Sequence, residues 1–288
     1  MDMLQIKLPD SVSDESMTRI GELKVKFTPG AEVCRVVISK TASNVAGSAR
    51  IVGNAVFTSS DGTANLGTSV DYPTDTIEFS LYIKGTGDFF VFFGEKYKMV
   101  AFTISADTPN DWIPSFEDCD FYACDNMKVL RLYRGRQQTL NLESLKTLPL
   151  ETLLGSTASP GPFYGDVSMI ASEAIKTLEL VSGNELKVTG NIESFKDSNL
   201  LTSFVLLDTN CHGDISTLGK LTSATRILFT NAPNIEGEVT DLLDNLFANG
   251  KVSGTVTIRI AGTFATYNGQ SRLTDISATF TSSGWSVA

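Results

Sequence analysis

The stretch from Gly213 to Leu242, GDISTLGKLTSATRILFTNAPNIEGEVTDL, decides how this chain is read. It opens on a glycine, an acid and a branched aliphatic, Gly213-Asp214-Ile215. It then passes through an apolar core at Ala224, Ile227 and Phe229, reaches Asn234, and starts again at Gly237-Glu238-Val239. The same step occurs upstream as Gly165-Asp166-Val167 and Gly190-Asn191-Ile192, so the glycines are spaced by 25, 23 and 24 residues. Between them the core recurs as Ile175, Leu178, Leu180 and as Leu201, Phe204, Leu206, followed by Asn184 and Asn210. A period in the twenties predicts stacked units, because one such unit cannot bury its own apolar edge.

Working outward, the copies become partial. Met127, Leu130, Leu132 and Leu145, Leu148, Leu150 keep the apolar spacing without the asparagine. Gly155 to Gly165, GSTASPGPFYG, stretches the interval between cores and predicts an inserted loop. Its Phe163 and Tyr164 are expected to be contact points for a partner or a sugar ring, or to fold back onto the repeats. Asp241 to Asn249 predicts a short helix stopped by Gly250. The tail beyond Thr255 predicts strands that cap the last unit, anchored by Phe280 and Trp285.

The pattern resembles the leucine-rich repeat over roughly residues 113–260. The resemblance implies a short strand per unit on a concave parallel sheet. It also implies an asparagine bonding backbone inside each turn, and a Gly-x-Ile step that begins a second strand or turn. With the core positions inward, the intervening residues point outward. The candidate ligand-binding face is therefore Lys176, Glu179, Thr202, Val205, Asp208, Arg226, Leu228 and Thr230. Val205, Leu207 and Leu228 would form an apolar patch there, marking an interface unless a loop or the cap covers it.

Residues 1–108 read as β throughout. Leu23-Lys24-Val25-Lys26-Phe27 alternates with period two, and Phe89-Phe90-Val91-Phe92-Phe93 reads as a buried strand. Frequent turn signals predict a small antiparallel sandwich. Asn44 to Val70 is expected to be an exposed hairpin or long loop, and Ala106 to Pro114 a linker whose Trp112 seals the first repeat turn. Ser115-Phe116-Glu117-Asp118 has the look of a capped helix start. The expected fold class is mostly β with some α: a β-sandwich over 1–108, then an irregular repeat solenoid with a C-terminal β cap over 109–288.

Composition narrows the function. There are 23 Lys and Arg against 33 Asp and Glu, a formal charge of −10. That balance opposes nucleic acid and anionic membrane surfaces as partners. No apolar run approaches the length of a membrane span. The start, MDMLQIKLPDSVSDES, lacks the basic and apolar regions of a secretory leader. Cys34, Cys119, Cys124 and Cys211 have neither disulfide-scaffold nor zinc spacing, so reduced, mostly buried thiols are expected. The single histidine, His212, follows Cys211 directly, and neighbours on an extended chain face opposite ways. The acids Glu117, Asp118, Asp120 and Asp125 do not follow a calcium-loop pattern. No catalytic residue, metal or cofactor is expected.

The whole chain resembles leucine-rich-repeat surface and virion proteins of gut Bacteroidetes and their phages. That resemblance implies a structural or adhesive virion component binding a host glycan or protein as a homo-oligomer or array, assembled in the host cytoplasm. The alternative is a bacterial interaction module outside any virion, in the cytoplasm or at the cell surface.

Overall fold

The computed structural model describes residues 22–105, 108–109, 112–116, 119, 121, 124–133, 140–155, 163–182, 187–260, 266–267, 270–271 and 276–287. The first eight strands are β1 (Leu23–Thr28), β2 (Cys34–Lys40), β3 (Ser48–Thr58), β4 (Asn65–Gly67), β5 (Ser69–Asp71), β6 (Glu78–Phe93), β7 (Met99–Ile104) and β8 (Ile113–Ser115). β1 alternates buried and half-buried residues along its length, as its period-two sequence requires. β6 is the organiser. Its first half pairs antiparallel with β2, its second half pairs with β1, and β3 pairs along both. Aromatic residues fill the space enclosed: Phe27 stacks on Phe89 at 5.6 Å, and Trp112 meets both rings edge-on.

Two charged devices fasten this half. Arg50 grips Glu22 with two hydrogen bonds, of 2.9 and 2.8 Å, while its guanidinium lies 3.8 Å over the Phe92 ring. Lys40 is buried and donates to the carbonyls of Ser43, Val45 and Pro73. An ammonium with three acceptors replaces the water that those turns would otherwise need.

Downstream lie two series of short strands. One comprises β9 (Val129–Leu132), β11 (Thr152–Gly155), β13 (Thr177–Val181), β15 (Ser203–Leu207) and β17 (Arg226–Thr230); the other comprises β10 (Leu140–Asn141), β12 (Phe163–Asp166), β14 (Val188–Asn191), β16 (Asn210–Asp214) and β18 (Asn234–Glu236). They stack in chain order and in parallel, as two separate sheets. Leu153, Leu178, Phe204 and Ile227 are register partners across the first sheet, and all are fully buried. Each such side chain contributes about 1.5–3 kcal/mol relative to exposure.

After β18 come helix α1 (Val239–Ala248), then β19 (Gly254–Ile260), β20 (Thr266–Tyr267), β21 (Gln270–Ser271), β22 (Ile276–Thr281) and β23 (Gly284–Val287). α1 buries Val239, Leu242, Leu243 and Leu246, one helical stripe, and Gly250 follows it with a φ of 100°. β19 continues the parallel order, and β22 and β23 finish it antiparallel. Phe280 is buried, and Trp285 donates to Asp244 of α1 at 2.8 Å.

The chain is thus a mixed β/α fold with an extensive parallel sheet. That sheet does not stop at residue 108. β7 pairs in parallel with β9, so Phe102 opposes Leu130 and one sheet runs from β8 to β23. Several local expectations change accordingly. Asn44 to Val70 is a hairpin, one of the two forms expected, but a largely packed one: the eleven-residue strand β3 turns back onto β4 and β5 and buries Ala49, Ile51, Ala55 and Phe57. Trp112 packs with Phe27 and Phe89 and donates to the Glu32 carbonyl at 3.0 Å, so it belongs to the first half's core. Ser115 ends strand β8, which pairs with β1; Glu117 and Asp118, the rest of the expected helix start, and Asp120 lie outside the described residues.

The Gly-Asx step has a clear physical basis. Asn141, Asp166, Asn191 and Asp214 each cap a short 3-10 turn, accepting from the backbone N–H two residues on at 2.8–3.0 Å. Gly165, Gly190, Gly213 and Gly237 hold φ between 100° and 119°. A Cβ on any of them would overlap the capping oxygen of the unit before it. The cap of one unit therefore demands glycine in the next. The two ends obey the same rule. The first copy reads Leu140-Asn141, with no strand described beyond β10. In the last copy, Gly237 is followed by Glu238, whose side chain makes no cap bond.

Candidate functional site

The outward face of β9 to β19 carries side chains in three bands. At the strand entrances, Glu151 bridges Lys128 at 2.8 Å and Lys176 in the next unit. Those two ammonium groups lower the Glu151 carboxyl to about 2, so the band stays ionised. Beside it the Thr202 hydroxyl donates to the Lys176 carbonyl at 2.8 Å, and the Thr225 hydroxyl to that of Thr202 at 3.1 Å.

The middle band joins three units. Glu179 accepts from the Ser203 hydroxyl at 2.8 Å and from Arg226 Nη1 at 3.0 Å. At the strand exits, Asp208 and Asn231 adopt left-handed φ of 54° and 51°, and Asn231 donates to Asp208 at 2.9 Å. Asn234 donates likewise to Asn210 on the surface. These asparagines therefore stack on one another outside the turns, unlike the buried backbone-bonding role implied by the repeat resemblance. Asn184 lies outside the described residues.

Not every expected site residue reaches solvent. Val205 and Leu228 are buried, at 2% and 6% exposure, and Val181 is buried beside them. They alternate outward on their strands yet are covered, the alternative that the sequence left open. Phe204-Val205-Leu206 and Ile227-Leu228-Phe229 are continuous apolar runs, the pattern of strands covered on both faces. Thr230 is half-buried and its hydroxyl finds no partner among the described residues. Phe163 is also buried: it lies in β12 with its ring against Gly155, where a Cβ would collide with it, while Tyr164 is half-buried. The rest of the predicted inserted loop, 156–162, is outside the described residues.

What remains outward is Lys176, Glu179, Thr202, Asp208 and Arg226, a polar surface on which Lys176 pairs with Glu151, Glu179 with Arg226, and Asp208 accepts from Asn231. Alternating signs at Lys128, Glu151 and Lys176 were the sequence signal for the entrance band, visible once the units are aligned. Cys211 and His212 point to opposite sides of β16, the thiol buried and the imidazole exposed. Burial pushes the Cys211 thiol up to about 12, and that of Cys34 likewise. None of the four cysteines is in a disulfide among the described residues. Among the described residues no group of three or more His, Cys, Asp or Glu is placed to hold a metal ion, and no helix is long and apolar enough to cross a membrane.

Among the described residues, cavities also lie on the first half. One, of about 480 Å³, is floored by Arg35, Tyr82 and Lys84; another, of about 530 Å³, lies beside Asn54, Val56 and Thr86. Sequence reading passed over both, although these residues occupy the outward positions of β2, β3 and β6. No family model, curated protein or solved structure matches the chain.

Proposed function

We propose that this chain is a non-enzymatic recognition protein built as a β-sandwich joined to a leucine-rich-repeat-like solenoid with a β cap. In this reading it is a structural or adhesive component of a phage particle. The observation that carries the reading is the register-locked parallel stack, in which side chains of like kind recur at fixed steps across successive units. Such a stack makes an extended, rigid face that suits a protein or polymer partner. The paired charges of Glu179 and Arg226 supply polarity and orientation, and affinity comes from repetition of weak contacts in a homo-oligomer or array.

The test is quantitative peptide mass spectrometry of gradient-purified phage particles beside host membranes and cytosol. A constant ratio to the major capsid protein supports the virion role and gives the copy number. Peptides confined to host fractions remove that role and leave a bacterial protein-interaction module.

A further inference from the structure

The cavity on the first half is a built site. Its floor is the outward face of β2 and β6, where Arg35 and Tyr82 are cross-strand partners and Lys84 lies two residues along. Its walls are the loop around Glu32 and the turn around Asp61, which touch where Gly62 meets Val33. The Asp61 carboxylate accepts from the Ser59 hydroxyl, from the Thr63 backbone at 3.1 Å and from the Thr63 hydroxyl at 2.9 Å, so the turn is fixed in place. Arg35 is held in place by Ser80 at 3.1 Å. Three groups in the cavity have no hydrogen-bond or ion-pair partner among the described residues: the Lys84 ammonium, the Glu32 carboxylate and the Tyr82 hydroxyl.

Among the described residues two cations and two carboxylates line this space, so their formal charges cancel. A simple anion or cation would meet as much repulsion as attraction there. The lining instead offers donors, acceptors and an aromatic ring to one occupant. A sugar ring has that complement: hydroxyls that donate and accept, and an apolar C–H face. The volume falls in the range of ligand pockets. The second cavity shares Lys84 as a common wall and adds Asn54, Thr68 and Thr86. We infer that this paired cavity on β2, β3 and β6 binds a neutral oligosaccharide, with Tyr82 beneath one ring and Lys84 between two adjoining subsites. This site is independent of the repeat face.

The experiment is a microarray of neutral and acidic oligosaccharides probed with the fluorescently labelled full chain, followed by titration of the best-bound sugar. Neutral oligosaccharides are expected to bind. Tyr82→Ala and Lys84→Ala should each weaken binding at least about tenfold, and Tyr82→Phe should recover most of it by restoring the ring. Lys220→Ala, at an exposed ion pair on the repeats, should change nothing. Thermal melts of each variant confirm that the fold survives. Absence of any bound sugar, binding of acidic sugars alone, or undiminished binding by Tyr82→Ala overturns the assignment. Loss in Arg226→Ala with retention in Tyr82→Ala also overturns it, by moving the sugar to the repeat face.

Discussion

The antiparallel half and the repeat half face the same problem, pairing strands in one register, and solve it over different sequence distances. In the repeats each strand bonds the strand of the neighbouring unit, and a glycine seated on the previous cap sets the step. In the first half Leu23 pairs with Phe93 and Cys34 with Ile83, so register depends on one long strand and on distant contacts. Local pairing costs little chain entropy and distant pairing costs more. The repeats can therefore rely on a small backbone rule, whereas the first half needs an aromatic core and buried charge devices.

The sharpest way to break that contrast is Gly190→Ala. The left-handed φ and the overlap with Asp166 should together cost at least about 3 kcal/mol, read by urea denaturation. Adding Asp166→Ala should recover part of the loss, since it removes the overlap but not the backbone strain. In the first half the matching test is Lys40→Met. It keeps the volume and strips three carbonyls of their donor, so about 2 kcal/mol should be lost. Asp214→Ala removes one cap and should cost about 1 kcal/mol, confined to the last repeats in hydrogen exchange.

The smallest effect concerns pH. The folded Glu151 carboxyl lies near 2, below its ordinary 4.5. Its contribution is thus complete above the ordinary value and is lost as pH falls from there toward 2. The wild type should lose slightly more stability over that window than Glu151→Gln does. The difference is small because the pair is exposed to solvent. Equal acid sensitivity of the two proteins would remove Glu151 from the ladder.

Much of the repeat half was legible in sequence because its rule is local. The glycine spacing and the cores at Ile175, Leu178, Leu180, Leu201, Phe204 and Leu206 fall where expected, all fully buried. So do α1 with Gly250 and the cap with Phe280. What the sequence left open or missed shares a cause: each case depended on what lies across the sheet. Val205 and Leu228 alternate outward on the strand yet are covered, and Phe163 is drawn inward by the space Gly155 leaves. The pairing of β7 with β9 joins segments that the sequence separates with prolines. Of the candidate face, the charged members could be read from strand alternation. The cavity at Tyr82 could not, since it exists only when β2, β6 and two loops meet.

The interlock between a cap and the next glycine has a consequence for how such a chain can change. A unit is bounded by the same two features at each end, so a copied unit presents a glycine to the unit before it and a cap to the unit after it. Duplication of residues 190–212 would enter the stack without disturbing either neighbour, lengthening the sheet by about 4.8 Å. The antiparallel strands at both ends would ride outward unchanged. Length is thus a quantity this architecture can vary in whole steps, while its ends, and the cavity beside one of them, stay constant.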